Sequence, residues 1–130
     1  MIKAPIKKRR ILLIEDDRLD QMAFERFLKT EKDPYDYRIA GSIAEARKIL
    51  SSEKFDVIVT DYQLRDGVAM EILDLKLGLP IIMTTGTGNE EIAVRALKAG
   101  AFDYLIKDPD RYYLKILPAT VEMALKHWEN

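Results

Sequence analysis

Short apolar runs alternate along the chain with longer segments in which apolar residues recur at helical spacing. Four of these runs are continuous over three or four residues, which is typical of strands buried on both faces. They are Ile11–Ile14, Val57–Val59, Pro80–Met83 and Tyr104–Ile106. A weaker alternation over Tyr37–Ala40 predicts one more strand, so that five strands are expected.

The segments between these runs predict five helices. They are Arg18–Lys29, Ser42–Leu50, Ala69–Leu75, Asn89–Ala99 and a last helix with Val121, Ala124, Leu125 and Trp128 on one face. Ser42 and Glu45 form a capping box, in which the serine oxygen accepts from the amide three residues on and the glutamate reaches back. Asn89 is expected to cap the fourth helix and Gly100 to stop it. Pro118 is expected in the first turn of the last helix or at a kink, because proline cannot donate inside a helix.

Strand and helix alternate about five times, which predicts an α/β fold: one doubly wound, five-stranded parallel sheet with helices on both faces. The 130 residues are expected to form one domain, residues 1–130. Within it, residues 1–9 are expected to be a basic tail, and the core covers about residues 10–128. Apolar residues make up 48% and charged residues 33% of the chain, which excludes disorder as a description of the whole.

Composition excludes several classes of function. The net charge is -1, so no general electrostatic field favours nucleic acid or an anionic membrane. The chain has no cysteine, which excludes disulfides, thiolate metal sites and thiol catalysis. Its apolar stretches are far shorter than the ~20 residues that span a bilayer, so no membrane insertion is expected.

Polar side chains follow four of the predicted strands, at the sheet edge where open α/β sheets bind ligands. These residues are Glu15, Asp16 and Asp17, then Thr60 and Asp61, then Thr84 and Thr85, and finally Lys107. Carboxylate ligands suit Mg²⁺, and lysine is a common partner of phosphate. The set predicts phosphoryl transfer, with Asp61 as acceptor, Lys107 and Mg²⁺ neutralising charge, and Thr85 detecting the product.

Four ordered motifs resemble the receiver domain of two-component response regulators. They are ILLIEDD at 11–17, DVIVTDYQL at 56–64, PIIMTTG at 80–86 and ALKAGAFDYLIK at 96–107. The resemblance covers the chain from about residue 9 to its end. It implies the flavodoxin-like receiver fold with strand order 2-1-3-4-5, and a cytoplasmic phosphoacceptor in a two-component phosphorelay rather than a turnover enzyme. The donor would be a sensor histidine kinase or a histidine phosphotransfer protein.

The resemblance also implies a metal site around the phosphoacceptor Asp61. Asp16 and Asp61 would bind Mg²⁺ directly, together with the backbone carbonyl of Gln63. Glu15 would bind the ion through water. The neighbouring acids Asp17 and Asp20 are interpreted as helix caps, since negative charge suits a helix N-terminus.

The remaining roles implied by the resemblance concern the phosphoryl group and its readout. Lys107 would bind the phosphoryl group, and Thr85 and Tyr104 would form the conformational switch. The side chains of Gln63 and Thr87 occupy the positions that tune the lifetime of the acyl phosphate.

The sequence departs from the family pattern in four places. Arg65 replaces a proline four residues after Asp61, and Ala69 replaces a glycine eight residues after it. Asp108 stands where proline usually follows the lysine, and the segment 69–80 is about one helical turn, ~3.6 residues, shorter than usual. The departures leave open the alternative of a phosphorylation-independent interaction scaffold with the same fold.

Two further alternatives and the output are open at this point. The loop at residues 84–90 resembles the phosphate loop of flavodoxins, which makes FMN binding an alternative. It is a remote one, because this loop follows the fourth strand here and the first strand in flavodoxins. An aspartate-nucleophile phosphatase would want a second aspartate where Gln63 stands. The downstream effector is unknown, direct nucleic-acid binding is not expected, and a homodimer could form through the fourth helix, fifth strand and fifth helix.

Overall fold

The computed structural model describes residues 8–30, 35–86 and 89–129. Five parallel strands form the main sheet: β1 (Arg9–Ile14), β2 (Tyr35–Ala40), β3 (Val57–Asp61), β6 (Ile81–Thr85) and β7 (Asp103–Ile106). Their order is β2-β1-β3-β6-β7, which confirms the expected order because β4 and β5 form a separate antiparallel hairpin at Gln63–Leu64 and Gly67–Val68. The sequence pattern did not predict this hairpin. Of the basic tail expected at residues 1–9, residues 1–7 lie outside the described residues, and β1 begins at Arg9.

The five helices are α1 (Arg18–Thr30), α2 (Ile43–Ser52), α3 (Met70–Leu73), α4 (Glu90–Lys98) and α5 (Tyr112–Glu129). Apolar residues of α1 and α5 pack on one face of the sheet, whereas those of α2, α3 and α4 pack on the other. Within the described ranges, no helix combines the length and apolar character needed to cross a membrane.

The continuous apolar runs are explained by helices on both faces of the sheet. In β1, Ile11 and Leu13 contact the α1–α5 side, and Leu12 and Ile14 contact the opposite side. All four are buried, because successive strand residues point to opposite faces and each face is covered. An exposed face would instead have given the apolar–polar alternation of a half-buried strand.

Two helices differ in detail from the expectation, the third in its length and the last in the position of its proline. The third helix ends at Leu73, two residues before the predicted Leu75, because the chain turns at Lys76 and Gly78, which have φ values of 48° and 73°. Pro118 lies inside α5, well beyond the first turn that starts at Tyr112, so its placement in the first turn is wrong, whereas a kink at Pro118 stays a prediction. The apolar face of α5, which buries Tyr113, Leu114 and Leu117, extends the helix N-terminally past the proline.

The predicted helix signals are partly confirmed. Ser42 Oγ accepts from the backbone N–H of Glu45 at 3.0 Å, as the capping box requires, but the Glu45 carboxylate accepts from the N–H of Gly41 at 3.3 Å. Asn89 precedes α4 without a capping bond from its side chain. Gly100 follows α4 with φ 114°, a conformation that glycine adopts at little cost.

The β4–β5 hairpin is fixed to the start of α2 by Asp66. The Asp66 carboxylate accepts from the backbone N–H groups of Ile43 and Ala44 at 2.9 and 3.0 Å, and these bonds lower the pKa of Asp66. Gly67 has φ 156°, whereas φ at position 69 is -62°, a value that residues other than glycine adopt without strain. Alanine at position 69 therefore causes no backbone strain, because the position that requires a glycine is Gly67, two residues earlier.

We expect Asp66→Ala to lower the thermal unfolding midpoint by a few degrees, since two amides of the first turn of α2 lose their acceptor. Asp66→Asn should lower the midpoint less, because its single carbonyl oxygen can still accept one of the two hydrogen bonds. Asp74→Ala is the matched control, since Asp74 is an exposed acid at the end of α3. Equal midpoints for Asp66→Ala and Asp74→Ala, measured by circular dichroism, would contradict the assignment of Asp66 as a cap.

Candidate functional site

Parallel pairing brings the acids of two strands to one edge of the sheet. Ile14 of β1 lies in register with Thr60 of β3, so Glu15 and Asp61 follow at adjacent positions. Carboxylate oxygens of Glu15, Asp16 and Asp61 lie within 4.8 Å of one another. Three acids at this distance repel one another unless cations lie among them.

Lys107 supplies a cation at this cluster. Its Nζ lies 2.6 Å from Glu15 Oε1, 2.9 Å from Asp20 Oδ2 and 3.1 Å from Asp61 Oδ2. The backbone N–H of Lys107 donates to the carbonyl of Thr85 at 2.7 Å, which continues the β6–β7 pairing beyond the end of β7. The sheet itself therefore positions the lysine over the acids.

Burial and charge act against each other at these groups. Burial raises the pKa of Glu15 to about 7, despite its bond to Lys107, and burial likewise raises the pKa of Asp61. At Lys107 burial favours the neutral amine, but the hydrogen bonds that its ammonium donates to Glu15 and Asp20, together with the nearby negative charges, outweigh burial and raise the pKa of Lys107. The lysine thus stays charged, but its single positive charge does not offset the effect of burial on Glu15 and Asp61.

Asp20 belongs to this cluster as well as to the first turn of α1, so its interpretation as an acid that serves only the helix start is wrong. It lies in the first turn of α1, but its carboxylate contacts Lys107 Nζ at 2.9 Å and Arg111 Nη2 at 3.4 Å. Partial burial opposes its ionisation, yet the bond to Lys107 and the positive charges prevail and lower the pKa of Asp20. Asp17 directly precedes α1, and its carbonyl accepts from Gln21 N–H at 3.0 Å, as expected at a helix start.

Sequence reasoning missed Asp20 and Arg111, and spacing was the only available signal. Asp20 lies four residues after Asp16, and Arg111 lies four residues after Lys107. Four-residue spacing places side chains on one side of a helix, but Arg111 lies before α5 and has φ 57°. Its orientation towards Asp20 therefore depends on the loop and could not be deduced from periodicity.

The departure at Asp108 has a structural role in this loop. Its carboxylate accepts from the backbone N–H groups of Tyr112 and Tyr113 at 2.9 and 3.0 Å, and these bonds lower the pKa of Asp108. Asp108 thus caps the first turn of α5. Lys107 reaches the acids although Asp108, and not proline, directly follows it.

The other predicted site residues lie around the acid cluster. Thr85 is buried at the end of β6, and Tyr104 is half-buried in β7 and packs against the core on the α2–α4 side. Gln63 lies in β4 with an exposed side chain. Thr87 lies outside the described residues.

The arrangement is suited to an anionic group that arrives at Asp61. A carboxylate faces a charged lysine, and a group of oxygen ligands that would accept a hard divalent cation lies beside it. Lysine and a divalent cation together can offset the charge of a phosphoryl group, which is the main requirement of phosphoryl transfer.

Comparisons with known proteins agree with this geometry. The profile of the family described as "Response regulator receiver domain" matches residues 11–116. The transcriptional regulatory protein ZraR of Escherichia coli (strain K12) is 34% identical over 121 residues, covering 90% of this chain and 26% of ZraR. The chain spans between 20% and 28% of the length of the first three curated relatives that it matches.

Solved structures show the same fold. The CheY-like response regulator receiver domain protein from Methanospirillum hungatei JF-1 superimposes with a TM-score of 0.76 at 28% identity, covering 93% of this chain and 99% of that one. The beryllofluoride-activated NtrC4 receiver domain dimer gives 0.79 at 26% identity, covering 92% and 98%. Since the family profile spans most of the chain and these folds agree over nearly all of it, the chain belongs to the response regulator receiver domain family.

Proposed function

We propose that this receiver accepts a phosphoryl group on Asp61 from a phosphohistidine of a sensor histidine kinase or a histidine phosphotransfer protein. The observation that carries the proposal is the contact of Lys107 Nζ with Asp61 Oδ2 at 3.1 Å, beside the carboxylates of Glu15 and Asp16. The proposal is also supported by the position of Asp61 and Lys107 at the carboxyl edge of the sheet, where open α/β sheets bind ligands.

In the proposed reaction a carboxylate oxygen of Asp61 attacks the phosphorus of the donor. The new O–P bond forms as the P–N bond to the donor imidazole breaks, and the electron pair of that bond returns to the imidazole nitrogen. Lys107 offsets the negative charge on the phosphoryl oxygens. The product is an acyl phosphate on Asp61, which water later hydrolyses to restore the carboxylate.

We propose Mg²⁺ as the cation at the acid cluster, held directly by Asp16, Asp61 and the backbone carbonyl of Gln63, and through water by Glu15. The donor set fits, because it offers hard oxygen ligands, and because burial leaves Glu15 and Asp61 with raised pKa values that one lysine does not offset. When bound, Mg²⁺ supplies positive charge to the carboxylates and the phosphoryl oxygens.

We also propose that Thr85 and Tyr104 report the phosphoryl group, and that Gln63 and Thr87 tune its lifetime. The position of Thr85 next to Lys107 supports this role, since the Thr85 carbonyl accepts a hydrogen bond from the backbone N–H of Lys107. Thr85→Ala should leave phosphorylation intact and weaken the change at Tyr104. Normal signalling by Thr85→Ala would remove the switch assignment.

Phosphorylation of Asp61 is tested by intact mass after incubation with acetyl phosphate and Mg²⁺. We expect a gain of one phosphoryl group that needs Mg²⁺, is reversed by hydroxylamine and is absent in Asp61→Asn, because the amide cannot form an acyl phosphate. Asp56→Asn, which changes an acid directly before β3, is the matched control and should still gain the group. No gain with acetyl phosphate and no binding of beryllofluoride would contradict the proposal and favour the phosphorylation-independent scaffold.

Mg²⁺ should stabilise the protein, because it binds the folded acid cluster and not the unfolded chain. At a concentration of ~100 times its Kd, the expected gain in unfolding free energy is about 2.7 kcal/mol. Asp16→Asn should lose most of this gain, whereas Asp17→Asn, an exposed acid outside the cluster, should keep it. Denaturant titrations with and without Mg²⁺ measure it, and a full gain in Asp16→Asn would exclude Asp16 as a ligand.

We propose that the protein forms a homodimer whose interface is the face made by α4, β7 and α5. Exposed apolar side chains lie on these elements: Val94, Leu97, Ile106, Tyr112 and Ile116. The NtrC4 receiver, whose fold this chain shares, is described as a dimer when activated by beryllofluoride. We assign the receiver to the cytoplasm, where a kinase domain would meet it, and leave the effector unassigned.

A further inference from the structure

Asp20 and Arg111 form a second charged layer behind Lys107. The two carboxylate oxygens of Asp20 contact different cations: Oδ2 lies 2.9 Å from Lys107 Nζ, and Oδ1 lies 3.4 Å from Arg111 Nη2. Charges of alternating sign therefore run from Asp61 through Lys107 and Asp20 to Arg111. Any movement of Lys107 changes what Asp20 is paired with.

Lys107 has no free donor in this arrangement. An ammonium group has three N–H donors, and Lys107 directs its Nζ to Glu15, Asp20 and Asp61 at 2.6, 2.9 and 3.1 Å. A phosphoryl group on Asp61 adds oxygens that need such donors. To serve them fully, Lys107 must leave one of its two other carboxylates.

Asp20 is the carboxylate that Lys107 can leave at lower cost. The Glu15 side chain is 4% exposed and the Asp20 side chain 20% exposed, so a charge left unpaired on Glu15 would be far less solvated. Asp20 also has Arg111 as a second cation in direct contact, whereas Glu15 has no second cation among the described residues and would reach the proposed Mg²⁺ only through water.

Arg111 has an unused donor beside its contact with Asp20. Its Nη2 contacts Asp20, whereas its Nε is buried and has no hydrogen-bond partner among the described residues. A guanidinium grips a carboxylate best through two adjacent N–H donors. A small approach of Arg111 to Asp20 would bring Nε into use and replace a single long bond by a bidentate pair.

The loop before α5 fixes Arg111 in this position. Its backbone has φ 57°, a sparsely populated conformation for a residue other than glycine, and its N–H donates to the Asp108 carbonyl at 3.0 Å. Asp108 in turn caps α5. The strained conformation is thus held by the same turn that begins the helix.

We propose that Asp20 restrains Lys107 in the unphosphorylated receiver, and that Arg111 takes over Asp20 when Lys107 turns to the phosphoryl group on Asp61. The exchange sets the rate of phosphorylation. The inference rests on the proposed function of Asp61 and adds a regulatory pair to it. Asp20 and Arg111 are positioning residues, because they act through Lys107.

The first test is the initial rate of phosphorylation by acetyl phosphate at saturating Mg²⁺. Asp20→Asn should be about two- to fivefold faster and Arg111→Ala about two- to fivefold slower, the range of a partly exposed ion pair. Arg111→Lys should lie between Arg111→Ala and the natural protein, since it keeps the charge without the bidentate grip. Arg18→Ala, which removes an exposed arginine of α1 that contacts Gln21, is the control for net charge and should stay near the natural rate.

The double variant Asp20→Asn with Arg111→Ala separates the exchange from a general effect of charge. Its rate should equal that of Asp20→Asn alone, because Arg111 acts only through the Asp20 carboxylate. If Arg111→Ala slows the reaction as much in the Asp20→Asn background, the proposed exchange is overturned. A slower rate in Asp20→Asn would overturn the restraining role of Asp20.

A second readout follows the Arg111 side chain by nitrogen-15 NMR. Beryllofluoride should shift the Arg111 Nε–H resonance and protect it from solvent exchange, and both effects should be absent in Asp20→Asn. An unchanged resonance on binding overturns the exchange while leaving phosphorylation of Asp61 intact. If the natural protein takes up neither phosphoryl group nor beryllofluoride, the proposed function fails, and the inference fails with it.

Discussion

Replacing Lys107 with alanine is expected to slow phosphorylation of Asp61 by about 10²- to 10³-fold, the effect of removing one preorganised donor from a reacting oxyanion. Lys107 is the cation in contact with the Asp61 carboxylate within the described part of the chain. Its loss also leaves Glu15 and Asp20 without their shared partner. The arriving phosphoryl group would then add charge to a cluster that is already repulsive.

The rate of mass gain with acetyl phosphate at saturating Mg²⁺ measures this effect. Mg²⁺ should still bind Lys107→Ala, because every proposed ligand is unchanged, so a Mg²⁺-dependent rise in the unfolding midpoint shows that the variant is folded. Lys126→Ala, an exposed lysine of α5, is the matched control and should phosphorylate normally. A rate for Lys107→Ala within tenfold of the natural protein would show that other groups stabilise the phosphoryl oxygens.

Phe24→Ala is expected to lower the free energy of unfolding by about 3–5 kcal/mol, the range for a large aromatic side chain in a core. Phe24 is 2% exposed and joins α1 to the core on the α1–α5 side of the sheet. Its ring also packs edge-on against Tyr37 of β2, with the centroids 5.7 Å apart. A domain of this size has a total stability of only ~5–15 kcal/mol, so the variant should be close to unfolding at physiological temperature.

Phe27→Ala is the control for Phe24→Ala, since it removes the same side chain from the same helix at a half-buried position. We expect it to cost about 1 kcal/mol, typical of a partly buried substitution. Urea titrations of both variants give the comparison. Equal losses would mean that burial of Phe24 does not anchor α1, which carries Asp20 one turn earlier.

Most of the fold followed from local patterns. Four apolar runs and one weak alternation predicted the five strands of the main sheet, and Ser42 and Gly100 marked helix boundaries, because these signals act within one or two turns of chain. The hairpin at β4 and β5 did not follow from them. Its strands are two residues long, too short to show alternation, and the bonds from the backbone N–H groups of Ile43 and Ala44 to the Asp66 carboxylate join segments more than twenty residues apart.

The candidate site divides in the same way. Glu15, Asp16 and Lys107 follow strands, whereas Asp61 and Thr85 end them. The parallel sheet brings all these strand ends to one edge, so the convergence of the five residues could be predicted. Their ionisation could not, because the raised pKa of Glu15 and Asp61 depends on how deeply the folded protein buries them.

The sequence by itself determined that this is a doubly wound receiver with an acid cluster and a lysine at the carboxyl edge of its sheet. Only the tertiary structure decided what pairs with the lysine. Asp20 in a helix and Arg111 in a loop lie 91 residues apart, and they meet through the packing of α1 beside the loop before α5. Contacts of that kind depend on backbone angles and helix positions, which no local pattern of residues encodes.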